Sequence, residues 1–123
     1  MNYLLVAVGG ALGAIARYAT VIALQAATRG NFPIGTLTVN ALGCFVAGIL
    51  FVVCGERLVD GSMLRAFLMM GFLGAYTTFS AFSVETLALL AQGAAGAALT
   101  NVALNLLLSL AGCAAGIFIA RAL

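Results

Sequence analysis

Gly71-Phe-Leu-Gly-Ala-Tyr-Thr-Thr-Phe-Ser-Ala-Phe-Ser83 decides how this chain is read. The stretch lies inside an apolar run, about 65–91, that is long enough to cross a bilayer. Lipid offers no partner to a polar backbone or side-chain group. Two glycines, two threonines and two serines at such a place therefore need a structural reason. The reading that follows is an interrupted helix lining an ion pathway.

Composition narrows the setting first. The 123 residues are 65% hydrophobic and 7% charged, where a soluble domain carries roughly 25% charged residues. This is the composition of an integral membrane protein. Five arginines face Glu56, Asp60 and Glu85, for a net charge of +2. That is too little, and too scattered, for a nucleic-acid footprint. The chain has no His, and Cys44, Cys54 and Cys113 lack metal-ligand spacing. All three lie in apolar runs and read as free, buried thiols. With no nucleophile–base pair and no metal site to build, an enzyme is not expected. The N-terminal Met-Asn-Tyr-Leu-Leu has no positive signal-peptide region, so the first apolar run reads as a retained span.

A span takes about 20 mostly apolar residues, and four runs qualify: about 3–26, 33–54, 65–91 and 96–120. Pro33 sits at the start of the second, where its missing N–H costs nothing. Glu56, Arg57, Asp60 and Gly61 read as the one clearly polar loop, and Gln92-Gly93 turns the chain between spans three and four. The expectation is a single four-helix transmembrane domain over 1–123. Arg57, Arg65 and Arg121 fall on one side of the membrane; Arg29, with Arg17 if it lies near the end of span one, falls on the other. Such a weak bias under the positive-inside rule would let the chain insert in either orientation.

Small residues recur at four-residue spacing: Gly9 with Gly13, Gly43 with Ala47, Gly112 with Gly116. They let helix backbones approach closely. Polar residues recur on helical faces as well. Asn101, Asn105 and Ser109 line one face of span four, and Thr36 and Asn40 one face of span two. Thr78, Phe82 and Glu85 share a stripe of span three, with Phe79, Phe82 and Thr86 beside it. One such residue can be helix-to-helix glue. Three matched stripes of costly groups point to a pathway.

Asn, Ser and Thr side chains donate to anions. The rings of Phe79 and Phe82 have positive edges that an anion can meet. With few fixed positive charges nearby, an anion would be held weakly enough to leave. Thr78 and Ser80 add hydroxyls at the same level. Arg17 is the only arginine within an apolar run, and is expected to pair with Glu85, to snorkel, or to draw anions to an entrance. Glu85, the only acid well inside a span, suits an anion path if protonated or turned to a hydroxyl. Backbone carbonyls at a break, near Gly74 and Thr77, can bind a monovalent cation. The residues alone lead to a small polar ion or solute.

On these residues the chain resembles the small fluoride channels of the Fluc (CrcB) family along almost its whole length. Three segments carry the likeness: Gly9-Gly-Ala-Leu-Gly-Ala-Ile-Ala-Arg-Tyr18, Gly35-Thr-Leu-Thr-Val-Asn-Ala-Leu-Gly43, and the Gly71–Ser83 stretch. The resemblance implies an all-α membrane protein of four transmembrane helices with a break in helix 3. It implies an antiparallel, dual-topology homodimer with two fluoride pores in the bacterial cytoplasmic (inner) membrane. A structural sodium ion, not transported, would rest on the carbonyls of Gly74 and Thr77. The anion pathway would comprise Asn40, Phe79, Phe82, Thr78, Ser80, Glu85, Asn101, Asn105, Ser109 and Arg17. The activity expected is passive export of toxic cytoplasmic fluoride. The chain departs from the family pattern at Ala75, where a second glycine is frequent, and at Ala81, where a threonine is often found. Asn101 and Asn105 stand where hydroxyl residues are expected. A small four-span multidrug exporter, also a dual-topology dimer, is the alternative. That class places a glutamate in span one and builds aromatic cages; here span one has no acid and the chain no Trp.

Overall fold

The computed structural model describes residues 2–28, 30–58 and 60–123. Arg29, counted above in the charge balance, lies outside them. Four helical spans, Asn2–Thr28, Ile34–Arg57, Ser62–Ala91 and Ala95–Ala122, are each long and apolar enough to cross a membrane. The distribution of polarity is that of a protein meant for lipid. Asn101 is 0% exposed while Leu110, two turns further on the same helix, is 70% exposed. Water would drive the opposite arrangement.

Glycines set the packing. The second span lies along the fourth, and the first lies against the opening half of the third. A Cβ on Gly9 or Gly13 would collide with the carbonyl of Phe67 or Phe72 in the third span. Gly48 meets the Cys113 carbonyl, and Gly116 meets that of Phe45. Close backbone approach supplies contact that lipid-exposed leucines cannot.

The third span changes geometry along its length. It starts as α-helix (Ser62–Leu64), widens into π-helix (Arg65–Leu73), and tightens again over Gly74–Tyr76. Thr77 (φ −83, ψ 156) and Thr78 (φ −153, ψ 117) are extended, and helix resumes over Phe79–Ala91. Gly74 itself is helical, at φ −58 and ψ −32. The threonines, and not the glycine, carry the departure from helix. Thr77 donates both its N–H (3.0 Å) and its hydroxyl (2.9 Å) to the Leu73 carbonyl. Thr78 is the N-cap of the next segment, accepting the Ala81 N–H at 3.1 Å.

The third span closes on Gly93, the one glycine with positive φ (76°) among the described residues. Its N–H donates to the Leu90 carbonyl and that of Ala94 to the Leu89 carbonyl, the paired bonds of a Schellman turn.

One expectation needs correction. Glu56 and Arg57 are not loop: the second span runs on through them as π-helix, Val53–Arg57. Each has a partner at the end of the fourth span that outweighs the local polar pattern. Glu56 pairs with Arg121, and the Arg57 guanidinium donates to the Ala120 carbonyl.

Candidate functional site

The second, third and fourth spans meet around Thr78. The Asn40 carboxamide holds this residue at two points. Its Oδ1 accepts the Thr78 N–H at 2.8 Å, and its Nδ2 donates to the Thr78 carbonyl at 3.0 Å. The reason is local. In a continuous helix the Thr78 N–H would serve the Gly74 carbonyl. The extended turn withdraws it, and a buried peptide needs another partner. Asn40 supplies one from the neighbouring helix, 38 residues earlier.

From Asn40 the bonding runs on through the fourth span. Asn40 Nδ2 also donates to Asn105 Oδ1 (3.0 Å), and Asn105 Nδ2 to Asn101 Oδ1 (2.9 Å) and to the Asn101 carbonyl (3.0 Å). Asn101 Nδ2 donates to Thr86 Oγ1 (2.9 Å), whose hydroxyl donates to the Phe82 carbonyl (2.7 Å).

Thr78 stands between two cavities. One, about 280 Å³, is lined by Asn40, Thr78, Phe79, Phe82, Asn105 and Ser109, with Thr77 and Cys44 beside them. Six expected pathway residues thus share one hollow. The other is lined by Arg17, Thr78, Ser80 and Glu85, together with Tyr18 and Thr36. Asn101 lines neither cavity; its side chain is sealed between helices.

The polar groups of the second cavity are arranged as follows. Thr36 Oγ1 donates to Glu85 Oε1 at 2.7 Å, while Oε2 is buried with no partner among the described residues. Glu85 is turned to a hydroxyl. Among the described residues no ion pair joins it to Arg17. Arg17 instead directs Nη1 at the Thr77 carbonyl, 3.4 Å away. Thr78 and Ser80 hydroxyls are 3.2 Å apart. Among the described residues no cluster of three or more His, Cys, Asp and Glu could hold a metal ion.

Thr36 lines the second cavity from the face of span two that the helical period had marked with Asn40, and Cys44, read from the sequence only as a buried thiol, follows one turn beyond Asn40. Cys44 is half-buried against the first cavity, as Cys113 is half-buried elsewhere; only Cys54 is buried. Tyr18, next to Arg17, had no distinguishing signal.

Known proteins match this chain over most of its length. The family described as CrcB-like protein, Camphor Resistance (CrcB), matches residues 4–117. A protein of Saccharophagus degradans named "Fluoride-specific ion channel FluC" is 47% identical over 108 residues, covering 88% of this chain and 80% of its own. One of the same name from Cereibacter sphaeroides is 46% identical over 120 residues, covering 98% and 94%. Another, from Solibacter usitatus, is 41% identical over 121 residues, covering 98% and 99%. The glycines that seat the helices, the Thr78 turn and both cavities all lie within the matched region, and this chain belongs to the CrcB family.

Proposed function

We propose that this chain forms a fluoride-selective channel that lets the ion leave the cytoplasm passively. It is a multi-pass membrane protein and a channel rather than an enzyme. The observation that carries the reading is the first cavity. There Phe79, Phe82 and Ser109, whose hydroxyl has no partner among the described residues, line one space. Ring edges and a free hydroxyl replace part of an anion's water shell without the fixed charge that would trap it. Relatives covering nearly the whole chain bear the name of fluoride channels, which supports the choice of ion.

The path we infer enters at Arg17 and Glu85, passes Ser80 and Thr78, and continues between Phe79, Phe82, Asn105 and Ser109. The half-buried Asn40 and the buried Asn101 support its wall. A cavity of 280 Å³ exceeds by far the roughly 30 Å³ of one water, so an ion there would keep its hydration. Narrowing by a second copy is therefore part of the proposal. Phe79, 74% exposed, is the surface such a copy would cover. The antiparallel orientation in the inner membrane is proposed on the weak arginine balance.

The carbonyls of Gly74 and Thr77 suit a structural sodium ion. The Gly74 oxygen has lost its helical N–H to Asn40, and among the described residues the Thr77 oxygen meets only the distant Arg17 Nη1. A sodium ion there would supply fixed positive charge at the turn without being transported. Fluoride efflux from vesicles holding the purified chain, against chloride, tests the function.

A further inference from the structure

We propose that Asn40 is a positioning residue: it serves the anion path through the Thr78 peptide and does not itself donate to the ion. This rests on the channel reading above. An asparagine side chain has two N–H donors. One of Asn40's is spent on the Thr78 carbonyl and the other on Asn105 Oδ1, both at 3.0 Å. Its oxygen is occupied by the Thr78 N–H. Nothing is left over for an ion.

The consequences of releasing Asn40 point the same way. Thr78 is buried and extended, with no helical partner for its N–H. If Asn40 turned toward an anion, the N–H and the carbonyl of one buried residue, Thr78, would both be stranded. The carboxamide chain also closes on the same helix. It starts at the Thr78 carbonyl, passes through Asn40, Asn105, Asn101 and Thr86, and ends on the Phe82 carbonyl. Its two ends bracket the turn that carries Phe79 and Phe82. The network therefore sets where the two rings face the cavity. Ser109 lines that cavity with its hydroxyl uncommitted among the described residues, and is the group that donates to the ion.

The test uses the full chain in nanodiscs, labelled with ¹⁵N at threonine and asparagine, with efflux measured on the same preparations in liposomes. In the wild type, saturating fluoride should leave the Asn40 side-chain amide resonances in place. Asn40→Ala should raise Thr78 amide hydrogen exchange by roughly tenfold or more, with Thr20 and Thr86 unchanged, and should lower efflux. Ser109→Ala should lower efflux with Thr78 exchange as in the wild type. Where Asn40→Ala does not assemble, the fluoride titration of the wild type decides alone. A fluoride-dependent downfield shift of the Asn40 amide would overturn the proposal. So would lost efflux in Asn40→Ala with Thr78 still protected. A wild type without fluoride flux would instead overturn the channel reading.

Discussion

Phe79 and Phe82 lie with ring centroids 5.3 Å apart and planes tilted by 56°, yet one is 74% exposed and the other 8%. The same pair thus does two jobs. Phe82 is packed against the helices, while Phe79 stands out from them. Phe79→Ile and Phe82→Ile should both reduce fluoride efflux, because each removes a ring edge. They should separate in thermal unfolding. Phe82→Ile leaves a gap and should cost about 1–3 kcal/mol; Phe79→Ile should be close to neutral. Unchanged flux in both variants would remove the rings from the path.

Thr36 gives Glu85 its only hydrogen bond among the described residues. Thr36→Val strands a carboxyl oxygen and should lower stability by about 1–3 kcal/mol, along with efflux. Thr36→Ser keeps the donor and should restore both. Equal behaviour of Val and Ser at this position would show that the hydroxyl does nothing for Glu85.

The glycines should divide sharply. A Cβ on Gly116 meets the Phe45 carbonyl, whereas one on Gly96 meets nothing within 4 Å. Gly116→Ala should lower the melting temperature, at a cost of about 1–3 kcal/mol. Gly96→Ala should be neutral or slightly stabilising, since alanine is the better helix former. Parallel melts in detergent check this.

Replacing sodium by a much larger organic cation on both sides of the membrane should reduce fluoride efflux, if the Gly74 and Thr77 carbonyls hold the smaller ion. Indifference to the cation would argue against that site. The measurement is initial efflux rate at constant ionic strength.

How far the sequence reaches depends on whether a property is local. The four spans follow from unbroken apolar runs, and the observed bounds differ from the expected ones by no more than three residues at any end. Helical period placed Thr36, Asn40, Asn105 and Ser109 on inward faces. Partners were another matter. Asn40 meets Thr78 across 38 residues and Asn105 across 65, and no spacing rule reports that these donors are spent on one another. Composition marked Glu56 and Arg57 as loop; only the end of the fourth span explains why they are helical. Within the Gly71–Ser83 stretch the break was expected near Gly74 and Thr77; the extended residues are Thr77 and Thr78, and Gly74 stays helical. That choice rests on the cap Thr78 offers Ala81 and on Asn40 opposite it.

The most direct measurement is anion efflux from liposomes containing the purified chain, followed with a fluoride-selective electrode and, in parallel vesicles, a chloride electrode. We expect rapid fluoride release with chloride retained. Comparable release of both halides, or of neither, would contradict the claim that ring edges and an uncommitted hydroxyl stand in for the hydration of the smallest one.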